Sequence, residues 1–126
     1  MSTNPRARAW VEVETSALLQ NAATLEASIG PASRLIPMVK ANAYGLGISA
    51  VAPALYDAGC RDFFVASLDE GIALRAILPD GQIYVFFGPT PEDAAEYSRH
   101  WLIPVLNDLG QIETWRARNR GDEGEK

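Results

Sequence analysis

Apolar residues arrive along this chain in two rhythms. LIPMV (35–39), DFFVA (62–66) and IYVFF (83–87) are apolar at nearly every position. Strands of that kind are buried on both faces, as in parallel sheets. Between them, apolar residues recur three and four apart, the spacing of a one-sided helix. Leu18, Leu19, Ala22, Leu25 and Ile29 predict a helix from Thr15 or Ser16 to about Ser28, stopped by Gly30-Pro31. Val51, Ala52, Leu55 and Tyr56 predict another over 48–58, ended by Gly59.

The punctuation fits the same alternation. Ser67 stands three residues before Glu70, a capping box opening a helix that Pro79-Asp80-Gly81 ends. Thr90-Pro91-Glu92-Asp93 reads as a helix start, with Thr90 as cap and Pro91 in the first turn. A short run, Leu102–Leu106, precedes a last helix built on Leu109, Ile112 and Trp115. At the front, Ala9–Glu14 predicts an N-terminal strand. Pro37 fits poorly in a central strand because it brings no ladder donor. The expected fold is α/β, a partial (β/α)8 TIM barrel comprising roughly the first half and an N-terminal strand. A complete barrel takes about 250 residues, and this chain has 126. Residues 1–115 form the expected barrel portion. Residues 116–126, RARNRGDEGEK, carry almost nothing to bury and are expected to be a disordered tail.

Composition narrows the function classes. With 48% hydrophobic and 21% charged residues, the chain has the make-up of a globular domain. A net charge of −5 and scattered basic residues argue against nucleic acid or an acidic membrane surface as partner. No segment has the length of a membrane span and the N-terminus lacks a signal-peptide pattern, so a cytoplasmic location is expected. One cysteine, Cys60, and one histidine, His100, allow no internal disulfide and no familiar zinc spacing, so no metal site is expected. Cys60 reads as a small hydrophobe, His100 as a surface or capping residue, and Asp69 and Glu70 as helix-start carboxylates.

The chemistry concentrates at MVKANAYGLG (38–47). Lys40 ends a predicted buried strand, at the sheet edge where α/β proteins collect ligands. An amine near a core can lose its proton through desolvation and attack a carbonyl to form a Schiff base. Gly45 and Gly47 allow close backbone approach, and Tyr44 offers a hydroxyl to an anionic oxygen. The bland alternatives are a snorkelling lysine, a rim tyrosine, and an Asn42 that satisfies a turn.

VKANAYGLG (39–47) resembles the pyridoxal-phosphate motif of alanine racemases. WVEVETSALLQN (10–21), ALYDAGCRDFFVASLDEGIALR (54–75) and IYVFFG (83–88) resemble the surrounding blocks in the same order. The resemblance covers roughly residues 8–115 and implies the fold's N-terminal barrel. It implies that Lys40 binds pyridoxal 5'-phosphate and acts as one of two racemisation bases. It also implies that Tyr44 bonds the cofactor phosphate and that Val85 and Phe86 line the cofactor pocket. Leu46 stands where many members have histidine, which bears on pocket polarity.

The family's second base, a tyrosine from a β-rich domain of the partner subunit, has no matched position in this chain. Neither has the arginine that faces the ring nitrogen. The implied activity is interconversion of L- and D-alanine by a full-length homodimer, with the 126 residues alone expected to be inactive and prone to self-association. A broader amino-acid racemase or a decarboxylase on the same fold, or a non-catalytic truncated cofactor binder, are the alternatives.

Overall fold

The computed structural model describes residues 5–122. Its centre is a three-stranded parallel sheet in chain order: β1 (Asp62–Val65), β2 (Gln82–Val85) and β3 (Leu102–Pro104). Phe64 pairs with Tyr84, and Tyr84 with Ile103. Helices α4 (Leu68–Ile77) and α5 (Ala94–Arg99) connect the strands, and α6 (Leu109–Asp122) follows the last. Before the sheet come α1 (Thr15–Ile29), the five-residue α2 (Lys40–Tyr44) and α3 (Ile48–Asp57). Consecutive parallel strands lying side by side, each followed by a helix, form a segment of a (β/α) barrel.

Alternation along the strands divides the sheet into two faces. Phe63, Val65, Ile83 and Val85 are completely buried and pack with Val51, Ala52, Leu55 and Leu74 in the core beneath the helices. Phe64, Tyr84 and Phe86 are half-buried on the opposite face. There the Phe64 ring stacks on Phe86 at 4.5 Å and lies 4.9 Å from Tyr84. At the N-terminal end of the strands, the buried Asp62 carboxylate accepts from the Tyr84 hydroxyl at 3.2 Å and pairs with Arg34 at 3.4 Å. Burial, then the bond to Asp62, pushes the Tyr84 phenol above its ordinary pKa.

Arg75 ties the same end together. Its guanidinium donates to the carbonyls of Leu78, Pro79, Gly81, His100 and Trp101, so it closes the end of α4 and joins two loops. Tyr97 is buried, donates its hydroxyl to the Gly88 carbonyl at 2.7 Å and meets the Trp115 ring edge-on. Burial and the Asp93 charge push its pKa up to about 12. Cys60 sits in the core as expected, its thiol pKa raised by burial and then by Glu26.

Four expectations are corrected. Residues 9–14 form no strand: a strand exists only beside a neighbour that completes its ladder, and no described residue does so. Trp10 and Val11 are exposed, and the Trp10 indole bonds locally to Glu12. The 35–39 run makes one parallel bridge, Met38 to Phe64, rather than a full strand. Pro37 fits it because only its carbonyl is used, accepting from Phe64 N–H at 2.9 Å, while Val39 supplies the donor.

The helix expected from Thr90 starts at Ala94. Residues 91–93 form a turn in which the Asp93 carboxylate accepts the Thr90 N–H at 2.7 Å. The charged stretch after residue 115 continues α6 to Asp122; residues 123–126 lie outside the described residues. The start of α6 is anchored, with Asp108 accepting the Gln111 N–H and Gln111 accepting the Asn107 N–H. Arg116, Ala117, Arg118 and Arg120 are good helix formers, so they extend an anchored helix even without burial.

Candidate functional site

The chain leaves the Met38 bridge at buried Val39 and turns at once into α2, which is a helix of the wrong hand. Ala41, Asn42 and Ala43 have φ of 50°, 54° and 55° and ψ near 50°, and Tyr44 follows with φ 55°. Left-handed backbone costs L-residues roughly 1–2 kcal/mol each, because Cβ crowds the following carbonyl. Consecutive residues in that region persist only when their surroundings fix them.

The surroundings do so from both ends. Within the turn, Ala43 N–H donates to Val39 and Gly45 N–H to Ala41, both at 3.0 Å. Gly45 and Gly47 continue at φ 85° and 98°, backbone that glycine adopts without strain. The Asn42 side chain accepts the Ile48 N–H at 2.9 Å, capping the start of α3. That is the turn-satisfying role its residue type suggested.

Glu70 supplies the other constraint. Its side chain completes the capping box of α4 with Ser67, as the sequence spacing indicated. One carboxylate oxygen accepts Ala66 N–H at 2.7 Å and Ser67 N–H at 3.3 Å. The other reaches across to Ala41 N–H at 2.9 Å, in the residue after the lysine. Burial opposes its charge, but the Ala41, Ala66 and Ser67 donors and nearby Lys40 prevail and hold its pKa below the ordinary carboxylate value.

A carboxyl whose pKa is lower folded than unfolded contributes stability above its unfolded pKa and loses it as pH falls. The thermal midpoint should therefore drop on acidification through about pH 4 and below, more steeply than in Glu70→Gln, as followed by circular dichroism.

Lys40 is half-buried at the C-terminal edge of the sheet. Its ammonium makes no hydrogen bond or ion pair among the described residues and sits 5.9 Å from the centre of the Tyr44 ring. Tyr44 is 64% exposed, so its hydroxyl is available. Lys40 opens α2 two residues beyond the Met38–Phe64 bridge, where Val39 has already left the extended backbone with ψ 23°. Phe86 lies at the end of β2 with its ring stacked on Phe64.

Val85 does not join them. Neighbouring strand residues point to opposite faces, and Val85 is fully buried toward α4, where a Cβ on Gly71 would lie 3.1 Å from it. Val85 and Phe86, expected to line one pocket together, lie on opposite faces of the sheet.

A concavity of about 640 Å³ lies at the other end of the strands, lined by Arg75, Gly81, Tyr97, Trp101, Leu102 and Trp115 among others, and excludes Lys40. Among the described residues no group of three His, Cys, Asp or Glu side chains could hold a metal. No helix among them is long and apolar enough to cross a membrane.

The sequence exposed the lysine, its tyrosine and the capping box. It did not expose the left-handed turn or the Glu70–Ala41 bond, because alanines carry no signal for that backbone and the two positions lie 29 residues apart.

The chain is similar to proteins of known family. The alanine racemase of Brucella ovis is 48% identical over 106 residues, covering 83% of this chain and 26% of its own length. That of Rhodospirillum rubrum is 42% identical over 116 residues, 91% of this chain and 31% of its own. The crystal structure of alanine racemase from Bartonella henselae with covalently bound pyridoxal phosphate superposes with a TM-score of 0.83 at 37% identity, covering 88% of this chain and 31% of that one. The chain thus spans about a third or less of the length of these relatives. The family model for the alanine racemase N-terminal domain matches residues 13–125, and this chain belongs to that family.

Proposed function

We propose that these residues are the lysine-bearing part of an alanine racemase, which interconverts L- and D-alanine with pyridoxal 5'-phosphate. One observation carries this reading: in the motif VKANAYG, an amine without a hydrogen-bonding partner among the described residues stands at the C-terminal sheet edge on a turn fixed from both sides.

The donor set fits the cofactor. Lys40 Nζ would hold it covalently, the Tyr44 hydroxyl would donate to its phosphate, and Phe86, stacked on Phe64, would flank it. When bound, the cofactor withdraws electrons and makes the Cα proton of an amino acid acidic. Racemisation takes that proton from one face and returns one to the other, which requires two bases. Lys40 Nζ is suited to hold and return the proton on its own face.

The opposing base and the partner of the ring nitrogen would come from the rest of the enzyme and from a second subunit in a homodimer. The chain alone should accordingly turn over little alanine. The substrate is a small-molecule amino acid and the location the cytoplasm.

A chimera tests the assignment: this chain replaces the matching 106-residue segment of the Brucella ovis enzyme. With cofactor supplied, it should interconvert L- and D-alanine faster than other amino acids offered beside it. A folded, cofactor-loaded chimera that racemises no alanine would refute the assignment, and equal rates on several amino acids would point to a broader racemase.

A further inference from the structure

We propose that Glu70 is a positioning residue for Lys40: its carboxylate locks the left-handed turn that carries the lysine to the first turn of α4. The inference rests on the reading of Lys40 given above. The geometry uses both oxygens, one on Ala41 N–H at 2.9 Å and the other on Ala66 and Ser67 N–H at 2.7 and 3.3 Å. Three donors from two separate segments converge on one side chain. A helix cap needs only the second oxygen; the first is spent on backbone adjacent to the lysine.

The chemistry of the group explains why a carboxylate is required. An ionised carboxylate accepts on both oxygens, whereas an amide accepts on one and donates from the other. In Glu70→Gln the amide oxygen would turn toward the paired donors of Ala66 and Ser67, leaving NH2 against the Ala41 N–H. The cap would survive and the clamp would be lost. Ser67→Ala makes the opposite change. It deletes the hydroxyl that accepts Glu70 N–H at 3.3 Å and leaves both carboxylate oxygens bonded.

Because left-handed alanines are strained, a released turn would relax toward ordinary backbone, and the lysine amine would swing with it. The Asn42–Ile48 bond holds only the far end of the turn.

Two measurements on the 126-residue chain separate the possibilities. Amide hydrogen exchange at Ala41, referenced to buried Leu74, should quicken roughly tenfold or more in Glu70→Gln and stay unchanged in Ser67→Ala. Treatment with pyridoxal phosphate and borohydride, followed by mass mapping, gives the ratio of modified Lys40 to Lys126, the only other lysine. That ratio should fall by a comparable factor in Glu70→Gln and hold in Ser67→Ala, even where both variants melt at the same lowered temperature.

Equal effects of the two variants on either readout, or no effect of Glu70→Gln on Ala41, would overturn the proposal and reduce Glu70 to a helix cap. A wild-type chain that modifies Lys40 no faster than Lys126 would instead contradict the cofactor reading, and the exchange data would still decide the clamp.

Discussion

Phe63→Ala should remove most of the chain's stability and leave it close to its unfolding transition at room temperature. Phe63 is completely buried at the middle of β1, in the core formed with Val51, Leu55, Leu74 and Ile83. Truncating a phenylalanine in such a site costs about 3–5 kcal/mol, through lost transfer free energy and the cavity left behind. Domains of this size have only about 5–15 kcal/mol in total, and this one leaves one sheet face open, which places it low in that range. Phe64→Ala, one residue along the same strand, should cost far less. Its ring is half-buried and would forfeit the stacking on Phe86 and the tilted contact with Tyr84, such pairs being worth about 0.5–1.5 kcal/mol beyond the lost area. Urea titrations of both variants, followed by far-ultraviolet circular dichroism, give the comparison. A Phe63→Ala midpoint at or above that of Phe64→Ala would mean that the two faces of β1 have been assigned the wrong way round.

Lys40→Arg should abolish function while leaving the fold intact. The lysine ammonium contributes no hydrogen bond or ion pair to the described structure, so the exchange should shift stability by less than about 0.5 kcal/mol. Arginine keeps the charge and the length, but its guanidinium stays protonated and neither adds to a carbonyl nor carries a proton at working pH. In the racemase chimera, loss of the attachment point and of one base together should lower alanine turnover on the order of 10³-fold or more. Activity within tenfold of the parent chimera would remove Lys40 from the chemistry. An equal loss of melting temperature and activity would show that the lysine was structural.

These two positions also show how far the sequence could be read. The continuous apolar runs gave β1 and β2, although in this chain one face of each is fully buried and the other, with Phe64 and Tyr84, half-buried. The Ser67–Glu70 spacing gave the start of α4 because a cap is local chemistry. Family resemblance placed Val85 beside Phe86, but the two-residue repeat of a strand sends them to opposite faces, and the structure follows the repeat. The 9–14 segment has strand residues without a strand, since pairing depends on a neighbour that the segment itself does not encode. Residues 116–122 have the composition of a tail yet extend a helix whose start is already fixed by Asp108 and Gln111. Least legible was the turn at Ala41–Tyr44. Its backbone is held by the Ala41 N–H donated to Glu70 and by bonds within the loop, against the preference of its own residues.

The most direct test of the account is where pyridoxal phosphate attaches to the unmodified chain. Trapping with borohydride and mapping the modified peptide should place the label on Lys40 ahead of Lys126 and the N-terminal amine, because Lys40 stands at the C-terminal sheet edge on a fixed turn, 5.9 Å from the centre of the Tyr44 ring. Label spread evenly over the three amines, or absent from Lys40, would contradict the claim that this turn builds a cofactor-binding lysine.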